Sequence, residues 1–168
     1  AGAPNFREAV RMCAEIFHAL RGLLKDAGHL TAVGDEGGVA PLLRDEEEAL
    51  AFLLKACEKA RYAVGRDVFF ALDIAASEFF KGESGRPGSY LFQKQTLTAP
   101  ELISHYEQLI QKFPIISLED PLAEDDFDGW MLITERLGKR LQIVGDDFLV
   151  TNTRRIREAI ERRAANAV

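Results

Sequence analysis

Three short apolar runs in this chain each stop on a carboxylate, and helical periodicity separates them. Val68-Phe69-Phe70-Ala71-Leu72 ends on Asp73, Ile115-Ile116-Ser117-Leu118 ends on Glu119, and Leu141-Gln142-Ile143-Val144-Gly145 ends on Asp146. Continuous apolar runs of this length suit strands buried on both faces, as in parallel sheets. Strands alternating with helices at βα-unit lengths predict an α/β fold with a parallel sheet and crossover helices.

The helical segments carry their own punctuation. Residues 5–26 place Phe6, Ala9, Val10, Cys13, Ile16, Phe17, Leu20 and Leu24 on one face, with Asn5 as N-cap and Gly28 as stop. Residues 45–64 read as a second helix capped by Asp45, with Glu46, Glu47 and Glu48 in the first turn, where the helix dipole favours anions, and Gly65 as its end. Thr98 and Glu101 form a capping box, Pro100 sits in the first turn, and Pro114 stops that helix. Two more helices are predicted over 127–138 and 153–165. Residues 80–97, rich in Gly, Ser, Pro and Lys, read as a long loop with an extended piece near Tyr90–Phe92. Cys13 and Cys57 lie in helical apolar stripes and are expected to be buried free thiols. No repeat or linker divides the 168 residues.

Composition narrows the function classes. The chain has 27 acids and 21 bases, a net charge of −6, and residues 119–128 hold six acids and no base. That balance argues against a nucleic-acid partner, which would want a basic patch. An anionic substrate stays possible, because a bound cation reverses the local field. No apolar stretch approaches the ~18 residues of a membrane span.

The strand-end acids carry the chemistry. Sites in parallel α/β folds form at the C-terminal ends of strands, and neighbouring strands lie about 4.8 Å apart. Three acids at such ends would converge and repel, and a divalent cation resolves that conflict. An all-oxygen set suits Mg²⁺, and no His or Cys stands beside these acids to favour zinc. A single acid after a strand is commonly only a helix cap. Three in register, with Asp120 and Asp147 doubling two of them, point to a metal site. A second unusual segment, Val33-Gly34-Asp35-Glu36-Gly37-Gly38-Val39-Ala40-Pro41, holds two acids among three glycines. It reads either as a simple turn or as an acid held over a site, and periodicity leaves residues 31–35 open between strand and loop. His18, His29 and His105 read as structural, and Gly37-Gly38 lacks the Lys of a phosphate loop.

VGDEGGVAP (33–41), ALDIAASEFF (71–80), PIISLEDP (114–121) and QIVGDDFLVTN (142–152) together resemble enolase, the phosphopyruvate hydratase family, in order over all 168 residues. Muconate cycloisomerase-type relatives share the three acids but place a Lys-x-Lys pair on the second barrel strand, and no such pair occurs here. The Asp-Glu-Gly-Gly loop points to enolase proper.

The resemblance implies a partial (β/α)₈ TIM barrel of the enolase type, in which two successive helices precede the βα units and the three strands are barrel strands three to five. Residues 1–168 would then be a barrel domain truncated at both ends, without the N-terminal enolase domain, and residues 31–44 a connection between the opening helices. By the same resemblance Asp73, Glu119 and Asp146 are ligands of Mg²⁺, with Glu119 and Asp146 also facing substrate. Glu36 is the acid that helps expel the C3 hydroxyl of 2-phosphoglycerate as phosphoenolpyruvate forms. The physics agrees: the enolate needs metal charge on its carboxylate, and hydroxide leaves only with a proton. Asp35 and Asp147 are left as neighbours of the site or as caps. The Lys base is expected beyond Val168, so the isolated chain is expected to be inactive. A cytoplasmic, homo-oligomeric parent, dimer or octamer, is expected, with no nucleic acid or membrane partner. The alternative is a non-catalytic barrel segment that binds Mg²⁺ weakly or self-associates. A receiver-like doubly wound domain is set aside because the opening helix pair breaks its alternation.

Overall fold

Asn5 starts the first helix: its side chain accepts the Glu8 N–H at 3.0 Å, and α1 runs over Phe6–Asp26. The computed structural model describes residues 1–34, 37–82 and 88–168. The chain divides into two compact units, Ala1–Phe69 and Phe70–Val168.

In the first unit α1 packs against α2 (Glu46–Lys59), which Asp45 caps by accepting the Glu48 N–H at 2.8 Å. Gly28, at φ 83°, closes α1 as the sequence predicts: the His29 N–H bonds to Leu24 O and the Gly28 N–H to Lys25 O. The second helix ends earlier than its apolar pattern suggests. Arg61 takes φ 65°, with the Tyr62 N–H on Cys57 O and the Arg61 N–H on Glu58 O, so the left-handed cap falls on an arginine four residues before Gly65. Between the helices Val33 and Val39 form an isolated antiparallel bridge, and the other described residues of the connection belong to no helix or strand. Asp35 and Glu36 lie outside the described residues. Cys57 is buried, but Cys13 is exposed: of the apolar stripe read along α1 only Leu24 is buried, together with Met12, which lies outside that stripe. Cys13 thus departs from the expected pair of buried thiols.

The second unit is built on a parallel sheet of three strands in chain order. These are β1 (Phe70–Asp73), β5 (Ile115–Glu119) and β6 (Gln142–Val144). Leu72, Leu118 and Ile143 are register partners on one face, and Leu118 and Ile143 are fully buried there. Ala71, Ser117 and Gln142, then Asp73, Glu119 and Val144, share the opposite face. Helix α3 (Ala99–Lys112) begins on the Thr98–Glu101 capping box and packs on α4 (Phe127–Leu137), which packs on β6. Trp130 of α4 stacks on Phe148 at 4.1 Å between ring centroids, and both are fully buried. Helix α5 (Thr153–Arg162) is capped by Asn152. Beyond it the chain returns to the sheet. Ala167 bridges Val144 in parallel, and the Asn166 side chain accepts the Ile143 N–H at 2.6 Å, so a fourth parallel rung begins on the β6 edge. This arrangement is that of a partial barrel, and among the described residues the sheet does not close.

The described residues of 80–97, namely 80–82 and 88–97, carry more regular structure than a loop reading suggests. β2 (Phe80–Lys81), β3 (Ser89–Phe92) and β4 (Gln95–Leu97) form an antiparallel sheet. Gln93 and Lys94 both take positive φ, 48° and 66°, and make the two-residue turn between β3 and β4. Such turns usually announce themselves by Asn-Gly or Asp-Gly, and Gln-Lys gives no such signal.

Candidate metal centre

The ladder of the parallel sheet aligns two of the three strand-end acids. Asp73 closes β1 and Glu119 closes β5, and they are Cα partners in register. Adjacent strands at about 4.8 Å therefore place two carboxylates on one face, level with each other. Asp73 is exposed and Glu119 half-buried. Glu119 pairs in turn with Val144, the last residue of β6, and exposed Asp146 follows two residues later in the turn into α5. Among the described residues no group of three or more His, Cys, Asp or Glu is gathered closely enough to hold a metal ion. The structure thus brings Asp73 and Glu119 together and leaves Asp146 at the head of the next loop. Glu36 lies outside the described residues.

Hydrogen bonds continue past the strand ends and tie the three loops to one another. The Ile74 N–H bonds to Glu119 O and the Ala76 N–H to Asp120 O, each at 3.0 Å. The Asp120 N–H bonds to Val144 O at 3.0 Å. Ser77 Oγ accepts the Glu124 N–H at 3.1 Å. Arg155 of α5 donates to Phe148 O at 2.6 Å and to Glu124 O, faces Asp125 at 3.6 Å, and lies over the Phe127 and Phe148 rings. Tyr90, fully buried, donates to Asp126 Oδ2 at 2.6 Å and accepts the Ala123 N–H at 3.1 Å. Burial first, and then the Asp126 bond, hold its phenol far above the usual range.

The residue next to Glu119 is the one the sequence undervalued. Asp120 is 5% exposed and takes φ 39°. Its carboxylate accepts the N–H groups of Asp146 (3.1 Å), Asp147 (2.8 Å) and Phe148 (3.3 Å). Burial pushes its carboxyl above the ordinary range, and the three N–H bonds pull it back. Asp147 contributes its N–H to this clamp. The doubled acids Glu119-Asp120 and Asp146-Asp147 were the only trace of it in the sequence. Arg155 and Ser77 left none, since their partners lie 7 to 47 residues away.

The donor chemistry of this strand-end set fits a hard cation. All three side chains offer carboxylate oxygens, two of them are level in register, and the backbone of the third is fixed by Asp120. Compared with known families, residues 1–168 match the family model described as Enolase, C-terminal TIM barrel domain.

Proposed function

The chain belongs to the enolase C-terminal TIM barrel family, and from that membership we propose that Asp73, Glu119 and Asp146 hold Mg²⁺ in the dehydration of 2-phospho-D-glycerate to phosphoenolpyruvate. One observation carries the proposal: two carboxylates stand level at neighbouring parallel strand ends, on the face opposite the buried Leu118 and Ile143. Side-by-side carboxylates repel, and a divalent cation relieves that repulsion. When bound, the ion supplies positive charge to the substrate carboxylate as the C2 proton leaves. Glu119 and Asp146 then face substrate as well as metal. Glu36 donates the proton that lets the C3 hydroxyl leave as water. The homo-oligomeric, cytoplasmic setting of a glycolytic enzyme belongs to the same proposal.

Calorimetric Mg²⁺ titration of the wild type and Asp146→Ala tests the metal assignment. Loss of one carboxylate ligand is expected to weaken binding about tenfold or more. Identical binding by the two would overturn it. A second reading, a segment that binds Mg²⁺ without turnover, is favoured by the lysines: among the described residues none closes β1, β5 or β6. Glu36→Gln separates the acid from the metal site, since it should leave Mg²⁺ affinity unchanged while removing turnover wherever the base is supplied.

A further inference from the structure

Among the described residues Ser117 and Asp120 are the buried polar side chains, and Asp120 is the buried carboxylate. A buried carboxylate is costly unless its oxygens are bonded. Asp120 directs all three of its bonds at consecutive amides, Oδ1 to Asp146 and Phe148 and Oδ2 to Asp147. Consecutive inward-pointing amides form a concavity that ordinarily takes an anion, and here the anion is part of the chain. The backbone of Asp120 is held on both sides as well, by Val144 O on its N–H and by the Ala76 N–H on its carbonyl. A turn after a strand needs far less to exist. This much fixation sets where the Asp146 Cα stands and the direction from which its side chain leaves.

We propose that Asp120 is a positioning residue: through the amides of residues 146–148 it presets Asp146 for a divalent cation. The proposal rests on the reading that Asp146 is a Mg²⁺ ligand. The variant is Asp120→Asn, which conserves shape and tolerates φ 39° but sets an NH₂ group against one of the amides. Its fold is checked by near-ultraviolet circular dichroism. Two readings follow: Mg²⁺ affinity by calorimetry with the metal alone, and metal-free hydrogen exchange at amides 146–148. Mg²⁺ affinity is expected to fall about 10- to 100-fold, with faster exchange at those amides. Asn152→Ala, which loosens α5 at its cap, is expected to keep wild-type affinity. Unchanged exchange in Asp120→Asn, or faster exchange with wild-type affinity, overturns the proposal and leaves Asp120 a structural tie. Equal Mg²⁺ binding by wild type and Asp146→Ala defeats the metal reading itself, which is a separate result. A measurement on the wild type serves if Asp120→Asn does not fold. A preset loop should show little change in exchange at 146–148 when Mg²⁺ is added, and slowing of tenfold or more would mean that the ion, not Asp120, orders it.

Discussion

The carboxyl group of Asp67 is lowered to about 2 by the Arg66 guanidinium, which binds both its oxygens at 2.9 Å, with help from the Ala63 N–H. A carboxyl depressed in the folded state stabilises the fold above its unfolded pKa, near 3.8, and loses that contribution as pH falls towards 2. Asp67→Asn should therefore flatten the acid limb of stability between about pH 4 and pH 2, read by thermal unfolding. The two thiols differ for a related reason. Burial pushes the Cys57 thiol up, while Cys13 is exposed. A thiol reagent should titrate Cys13 in the native chain and reach Cys57 only on unfolding. Tyr90 links the hairpin sheet to the loop after β5 through its hydroxyl. Tyr90→Phe leaves the Ala123 N–H without that partner and should cost about 1–3 kcal/mol in denaturant unfolding.

At the scale of elements, helix ends show what local sequence can and cannot announce. Gly28 closes α1 where a glycine is expected, but Arg61 and Arg163 take the left-handed cap of α2 and α5 at φ 65° and 54°. Side chains resist that conformation, so Arg163→Gly should stabilise the chain by about 1 kcal/mol, a melting gain of about 2–4 °C. The opposite holds at Gly129, where a Cβ would come within 2.6 Å of the Asp126 oxygen and 2.9 Å of Leu122. Gly129→Ala should loosen the α4 cap and cost about 1–3 kcal/mol. The strands were legible because buried apolar runs are unambiguous once helices flank them. The β3–β4 hairpin was not, because the antiparallel pairing, not a glycine, holds Gln93 and Lys94 at positive φ.

At the scale of the whole molecule, a (β/α)₈ barrel takes about 250 residues, and among the described residues the parallel sheet has three strands with a fourth rung begun at Ala167. With no lysine closing a parallel strand among the described residues, the 168-residue chain should form no phosphoenolpyruvate above background at 240 nm. Clear Mg²⁺-dependent turnover would show that the base is present. The sequence by itself determined the order of helices and strands, since apolar periodicity and capping residues act over a few positions. It also placed acids at or just beyond the ends of the three parallel strands, and its four motifs pointed to the family. Which of two neighbouring acids turns outward and which is buried was decided only by tertiary structure. Glu119 pairs across to Asp73, while Asp120 turns beneath the next loop to meet amides 26 to 28 residues away. Such a role depends on partners that chain folding brings together, and no local pattern encodes them.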